Sequence, residues 1–322
     1  MKPPAFVVAA ALLFLLSVPP LSLRAEDAVV GGGNVWIKIR SRNFLLVGNA
    51  DEQEVRLVAT RLEQFREVFK QLLPAGNHFD PRVPTTLIVF RDDLAYRPFE
   101  PLYQGRPSDV AGYFLSSPYM NYITLSADSQ HERGAAALAF HEYVHLLVKN
   151  SFERAPLWFN EGLAEFYSAF EITNGNRKVK LGQPIKNRLL TLRRRELLPL
   201  NTLFEVDDQS PFYHEPGKRE IFYAQSWALV HYLLNGNEGL RRTQLLRYLD
   251  LLASGQKHDD AFRQSFQTDL ITLENELRQY VRRGKFEEQS VTFAQPLEFD
   301  TRVQSTLMAE AEAQCYLGDL LL

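Results

Sequence analysis

The sequence predicts an α+β fold, with a mixed sheet and a covering helix in the N-terminal part and a mainly helical subdomain in the C-terminal part. Three observations predict this fold class. Up to residue 126, several short apolar segments either alternate with a two-residue period or are uniformly apolar, as strands are. One long segment among them has helical periodicity instead. From residue 133 onward, almost every apolar segment has helical periodicity.

The N-terminal elements follow one another without long gaps. Residues 35–40 alternate as a strand does, and residues 43–47 are expected to pair with them as a hairpin. Asp51 begins a helix whose apolar positions recur at helical spacing until Pro74 ends it. The remaining predicted elements are a buried strand, a loop and two short strands, at 85–90, 94–109, 111–115 and 119–126.

The C-terminal part is predicted to be helical at 134–149, 156–170, 220–235, 238–253, 257–267 and 269–283. Residues 171–219 have a weak pattern, and we interpret the run Arg193-Arg194-Arg195 within them as a solvated helix face. In the tail, Tyr316-Leu317-Gly318 resembles the first helix of a helical-hairpin repeat. We therefore divide the chain into a sheet with two helices at 26–170, a helical subdomain at 171–285 and a tail at 286–322.

Residues 1–25 are predicted to be a secretory signal peptide. Lys2 precedes an apolar run from Ala5 to Leu16, which is shorter than the roughly 20 residues of a membrane span. Cleavage after Ala25 would leave no stable membrane anchor; an uncleaved N-terminal anchor is the alternative. The only cysteine is Cys315, so an intramolecular disulfide is excluded. Because secreted eukaryotic proteins commonly carry disulfides, an exported protein without one is more typical of a bacterial envelope, and we expect a secreted or periplasmic protein.

Charge and cysteine content exclude several function classes. The chain has 36 basic and 39 acidic side chains, a balance that gives no reason to expect nucleic-acid binding. With one cysteine, an all-cysteine metal site is excluded, so seven histidines and the carboxylates must supply any transition-metal ligands. Such ligands are typical of open, catalytic zinc sites.

The segment His141-Glu142-Tyr143-Val144-His145 carries the chemistry in this sequence. Four residues advance a helix by about 400°, so both imidazoles project from one face and can reach one zinc ion. Glu142 lies beside the metal and can take a proton from a zinc-bound water. The surrounding residues are apolar nearly all round, which predicts a buried helix in which these polar groups need a partner or a metal.

A two-histidine zinc site needs a third protein ligand and an open position. The metzincin continuation fails, because Val148 and Ser151 stand where it needs glycine and histidine. Glu161 follows His145 by 16 residues, enough for a loop and a return helix packed antiparallel to the first. Glu165 lies on the same face as Glu161, where it could accept the outer N–H of a ligating histidine.

These residues resemble the gluzincin zinc metallopeptidases, and within that clan the peptidase-MA-like bacterial proteins of unknown function. The resemblance rests on His141-Glu142-x-x-His145 with Trp158-x-Asn160-Glu161-Gly162-Leu163-Ala164, and extends from about Trp36 to Tyr280. It implies a zincin-like fold with an active-site helix, zinc on His141, His145 and Glu161, and Glu142 as general base. The interval between the second histidine and the glutamate is shorter than in thermolysin-like relatives, so their subsites cannot be carried over.

A peptidase of this kind also needs a donor for the oxyanion that forms when water attacks a carbonyl. The resemblance implies a tyrosine or histidine from later in the chain. Tyr223 is our choice; His231 is the alternative, and Tyr213 and His214 remain open. The predicted strand from Tyr119 to Ser126 is expected to be the sheet edge that binds an extended substrate.

The sequence thus supports two hypotheses. The first is a secreted, zinc-dependent metallohydrolase, most simply a peptidase acting on a peptide or protein, with an endopeptidase favoured because no amine-binding motif precedes the active-site helix. The second is a catalytically silent zincin-fold scaffold of the bacterial envelope, which binds a protein partner through its repeat-like tail. A structural zinc site is disfavoured, because it would not need a glutamate beside the first histidine.

Overall fold

The computed structural model of this chain describes residues 35–72, 83–128, 134–152 and 154–321. The strands in these residues are β1 (Trp36–Arg40), β2 (Leu45–Gly48), β3 (Thr85–Phe90), β4 (Leu102–Tyr103), β5 (Arg106–Pro107), β6 (Gly112–Ser116), β7 (Asn121–Ser126), β8 (Glu171–Thr173), β9 (Lys178–Leu181), β10 (Gln289–Thr292) and β11 (Gln304–Met308). The helices are α1 (Glu52–Leu72), α2 (Asp93–Tyr96), α3 (Gly134–Ser151), α4 (Leu157–Ser168), α5 (Lys186–Arg194), α6 (Leu200–Glu205), α7 (Pro211–His214), α8 (Pro216–Asn235), α9 (Arg242–Ala253), α10 (His258–Phe266), α11 (Leu270–Arg283) and α12 (Glu310–Asp319). The predicted signal peptide lies outside the described residues.

The main sheet is mixed, as predicted. Within the described residues it has six strands in the order β11-β1-β2-β3-β7-β6. The pairs β2–β3 and β3–β7 are parallel and the other pairs are antiparallel. All six residues of β3 are buried, which explains why its apolar residues 87–90 follow one another without alternation.

The two faces of the sheet pack against different helices. Alternate residues such as Ile37, Leu87 and Val89 contribute to the core beneath α1 and α3. Phe65 of α1 stacks on Phe140 of α3 with ring centroids 4.8 Å apart, so α3 lies between α1 and the rest of the helical half. This position explains why α3 is buried nearly all round and why its polar residues need partners.

The tail contributes to the sheet. β11 pairs with β1, and α12 packs Ala313 and Leu317 onto the face that carries Trp36 and Phe90. Tyr122 donates a hydrogen bond to Asp319 over 2.5 Å, and this contact holds the end of α12 against β7. The segment that resembles a helical repeat is therefore α12, and its apolar face packs against the main sheet of the same chain. The division into 26–170, 171–285 and 286–322 stays a prediction.

The helical half matches the predicted helices closely, with the largest differences at 171–219. This weakly patterned stretch forms α5, α6 and α7 together with β8 and β9, which pair with β10 as a small antiparallel sheet. The turn between β8 and β9 has positive φ at Asn174, Gly175 and Asn176, residue types that tolerate this conformation. No helix in the described part of the chain is long and apolar enough to cross a membrane.

Among the strands of the described residues, β6 is the edge strand beside α3, so the expected edge at Tyr119–Ser126 was wrong. β7 pairs with β3 on one side and with β6 on the other, and both of its edges are used. The sequence pattern does not show which strand of such a hairpin is the edge strand. An edge strand pairs on one side only, and that depends on how distant strands assemble.

Candidate metal centre

α3 presents His141 and His145 on one face, one helical turn apart. Their ring centroids are 4.8 Å apart, and the planes are nearly perpendicular. The spacing alone produces this arrangement, since residues four apart are neighbours on a helix surface. His141 is buried and His145 is half-buried.

α4 brings Glu161 against both imidazoles. Its Oε2 lies 3.3 Å from His141 Nε2 and 3.7 Å from His145 Nε2. Gly162 allows this approach: a Cβ there would collide with the Ser226 carbonyl and the Val230 side chain of α8. The absence of a side chain at this one position lets α4 sit close to α8 and sets the position of Glu161 over α3.

The residues present fit a zinc ion. Ligand atoms of His141, His145 and Glu161 all lie within 4.8 Å of one another. Glu161 Oε2 is buried and makes no hydrogen bond, which is costly for a carboxylate oxygen unless a cation neutralises it. Two imidazole nitrogens and one carboxylate oxygen are the ligands of open, catalytic zinc sites.

A hydrogen bond orients His145 for such a role, and a carboxylate lies near the outer nitrogen of His141. Asn160 Oδ1 lies 3.0 Å from His145 Nδ1, and a proton on Nδ1 leaves Nε2 free to face Glu161. Glu165 Oε1 lies 3.6 Å from His141 Nδ1, a charge contact longer than a hydrogen bond. Arg188 of α5 holds both oxygens of Glu165 at 3.1 and 2.7 Å. Arg188 lies in the weakly patterned stretch, and sequence reasoning missed it.

Glu142 faces the same cavity from α3. Burial raises the pKa of its carboxyl to about 7; nearby Glu161 and Glu165 also raise this pKa, whereas His145 lowers it. Gly112 of β6 packs directly on this side chain: a Cβ there would lie 3.5 Å from Glu142 Oε1. The general-base candidate is therefore held between α3 and β6.

Glu161 itself stays ionised. Burial alone would raise its pKa, but the adjacent His145 and His141 imidazoles and the Tyr213 hydroxyl outweigh burial, and the net shift is downward. Tyr213 donates a hydrogen bond to Glu161 Oε1 over 3.0 Å. One carboxylate oxygen is thus hydrogen-bonded, while the other faces the two histidines.

Tyr223 lines the cavity, but His231 does not. The Tyr223 ring is 6.3 Å from the His141 ring and lies parallel to that of Tyr213, 6.2 Å away. The pKa of Tyr223 is raised by burial and by the Glu161 carboxylate, so its hydroxyl keeps its proton. His231 instead contacts the Tyr280 hydroxyl at 2.8 Å and the Gly182 carbonyl at 3.1 Å in the helical core.

The cavity over these residues has a volume of about 410 Å³. β6 forms one wall, α3 and α4 form the floor, and Tyr213, His214, Arg219 and Tyr223 form the opposite wall. A second lobe of about 270 Å³ shares Glu142 and Tyr223 with it and extends towards Arg188. Tyr213 and His214, which the sequence left open, therefore belong to the wall; their four-residue helix has too little periodicity to predict that.

A family model described as the peptidase MA superfamily matches residues 115–283, just over half of the chain. The matched residues include α3, α4 and α8, which carry all the side chains of the metal cluster together with Tyr223. No curated protein matches the chain.

Proposed function

This chain belongs to the peptidase MA superfamily, and we propose that it is a zinc-dependent metallopeptidase. Membership supports a peptidase-like enzyme. The proposal of zinc and of its ligands is carried by one observation: the buried, unpartnered Glu161 Oε2 faces His141 and His145 beside a cavity that Glu142 also lines. His141, His145 and Glu161 would hold the ion.

Zinc, when bound, supplies a Lewis acid and an acidified water at neutral pH. The side chains do the rest. The Glu142 carboxylate takes the proton of the attacking water, holds it within the cavity, and returns it to the nitrogen of the leaving amine. Its place between α3 and Gly112 keeps this carboxylate beside the edge strand, where the scissile bond would lie.

Tyr223 is proposed as the oxyanion donor. Its hydroxyl stays protonated because burial and the nearby Glu161 raise its pKa, so it can donate a hydrogen bond to the carbonyl oxygen as negative charge develops. Tyr213 has a different role in this proposal, because its hydroxyl is already bound to Glu161. It holds Glu161 in place and leaves the oxyanion to Tyr223.

An extended substrate would bind along β6. This strand is the edge of the main sheet, it lines the cavity, and its unpaired side can exchange main-chain hydrogen bonds with one peptide strand. Both lobes of the cavity reach Glu142, so a chain lying along β6 would extend to either side of it. This geometry favours cleavage within a chain, the endopeptidase that the sequence also favours.

Export also remains part of the proposal: the pattern of residues 1–25 supports a secreted or periplasmic enzyme. The scaffold alternative rested on the repeat-like tail. Because α12 buries Ala313 and Leu317 against the sheet, that observation no longer favours it. A protein partner bound through the tail stays a prediction.

Metal analysis combined with a peptide-library digest tests the proposal. We expect about one zinc per chain, loss of zinc in His145→Ala, and retention of zinc in Glu142→Gln. Turnover by Glu142→Gln should fall by about 10²–10⁴-fold, the usual contribution of a general base. Full hydrolysis by Glu142→Gln, or a metal-free wild type that cleaves as well as the zinc-loaded protein, would refute the mechanism.

A further inference from the structure

A short hairpin crosses the mouth of the cavity. β4 and β5 pair antiparallel, and the turn between them has φ of 49° at Gln104 and 75° at Gly105. Positive φ at both positions is typical of a two-residue hairpin turn. We call residues 101–109 the strap; the sequence predicts them as part of a loop.

The two ends of the strap are tied to each other. The Ser108 amide and hydroxyl both donate to the Pro101 carbonyl, over 3.0 and 2.7 Å. The Asp109 amide donates to Glu100 Oε2 over 2.7 Å. Because these bonds close the base of the hairpin, the strap is one structural unit rather than two independent arms.

Two contacts fasten the strap to the helices across the cavity. The Tyr103 ring stacks on His214 of α7, with centroids 3.8 Å apart and an angle of 8° between the planes. Arg219 of α8 donates to the Ser108 carbonyl over 2.7 Å and to the Asp109 carbonyl over 2.9 Å. We call Arg219 and His214 the latch. An isolated two-stranded hairpin is marginally stable in water, so the order of the strap depends on the latch.

The strap also forms part of the cavity wall. Pro101, Leu102 and Ser108 line the same cavity as Glu142 and Tyr223. The strap leads into β6 and contacts α7 and α8, so it joins the two walls of the cavity, and a substrate lying along β6 would lie next to it. The strap thereby limits the width of the approach to the cavity on that side, which favours a single extended chain over the loop of a folded protein.

We propose that the latched strap determines the substrate class: a single extended polypeptide segment threads beneath it, whereas a loop of a folded protein is refused. This inference rests on the proposed function for the identity of the substrate as polypeptide. In this proposal, Arg219 and Tyr103 select the substrate by holding the strap in place, and neither side chain contacts the reacting atoms.

The first test measures the latch without any turnover. Hydrogen exchange of residues 101–109 is compared in wild type, Arg219→Gln, Tyr103→Ala and the control Arg242→Gln, whose guanidinium also donates to a backbone carbonyl, that of Leu234, outside the cavity. We expect at least about tenfold faster exchange in Arg219→Gln, which loses hydrogen bonds from a charged donor, and in Tyr103→Ala, which loses the stack on His214, but not in the control. Unchanged exchange in both would overturn the latch.

The second test measures selection by binding. In the Glu142→Gln background, zinc-loaded proteins are titrated with lysozyme, either native or reduced and alkylated. We expect only the reduced form to bind the parent protein, and Tyr103→Ala to bind the native form at least about tenfold more tightly, with little change for the reduced form. Arg219→Gln also alters the cavity wall, so for this variant we expect only that the affinity for the native form rises relative to that for the reduced form. An unchanged ratio of the two affinities, or no binding of the reduced form, would overturn the proposal.

The two proposals can fail separately. If protein with Glu142 intact cleaves no polypeptide but binding keeps this selectivity, the peptidase proposal fails and the strap proposal stands. If cleavage depends on Glu142 but native and reduced proteins are bound alike, the strap proposal fails and the peptidase proposal stands.

Discussion

His231 allows a quantitative prediction about acid stability. This histidine is fully buried, and burial lowers its pKa from 6.5 to about 4. It contacts the Tyr280 hydroxyl of α11 and the Gly182 carbonyl, and the rings of Phe166, Trp227 and Phe286 surround it. The fold therefore favours the neutral imidazole and opposes its protonation.

The sign and size of the effect follow from linkage. Because the folded pKa lies below the unfolded one, the unfolded state binds the extra proton as pH falls from 6.5 to 4. The stability that neutral His231 contributes is fully present above pH 6.5 and is lost through this window. A shift of about 2.5 units at 1.36 kcal/mol per unit corresponds to about 3 kcal/mol in all.

The variant His231→Gln tests this value, because an amide can donate to Gly182 and accept from Tyr280 without titrating. Urea unfolding of metal-free protein is followed from pH 7.5 to 4.5, so that zinc release does not contribute. We expect the wild type to lose about 2.5 kcal/mol more than His231→Gln over this range. Parallel losses in the two proteins would refute the argument that His231 is kept neutral by the fold.

Three further predictions concern the site. Gly162→Ala should lower the free energy of unfolding in urea by about 1–3 kcal/mol and weaken zinc binding, because α4 must move away from α8. Gly217→Ala is the control, since an added Cβ there meets nothing closer than 3.7 Å. This control should be neutral or mildly stabilising. Asn160→Leu should weaken zinc binding about 10–100-fold by competition with a chelator, and unchanged affinity would show that His145 needs no partner. Tyr223→Phe should lower kcat about 10²-fold with zinc affinity unchanged, whereas Tyr213→Phe should lower zinc affinity; the reverse pattern would exchange their roles.

The elements that could be predicted are those whose apolar periodicity lies within the element itself. α1, β3 and the helices that follow residue 216 lie close to their predicted positions, because their apolar periodicity reports directly on one buried face. The hairpin of β8 and β9 and the helices α6 and α7 were not predicted, and α5 was indicated only by the interpretation of the exposed run Arg193-Arg194-Arg195 as a helix face. Each of these elements is short and depends on distant contacts that periodicity does not record: α6 packs against α4 and α11, and the others pack against α8 or pair with β10.

The candidate site divides in the same way. His141, Glu142 and His145 were placed on one buried helix by their spacing and their apolar neighbours, and Glu161 by the length of a loop and a return helix. Arg188 and the position of Tyr213 became visible only in the structure. Their contacts with Glu165 and Glu161 join residues 23 and 52 positions apart in the chain, a separation at which no local rule applies.

What the sequence by itself determined is the local chemistry of this protein: two histidines and a glutamate at helical spacing, with a second glutamate one loop away. The tertiary structure alone decided which strand is the free edge, that Tyr213 and Tyr223 both line the cavity, and that a hairpin forms part of its wall. The physical reason is that helix geometry is set by neighbouring residues through a fixed rise and rotation. Edges, cavity walls and latches are set instead by which distant elements pack together, as Gly162 against Ser226 and Arg219 against Ser108 do here.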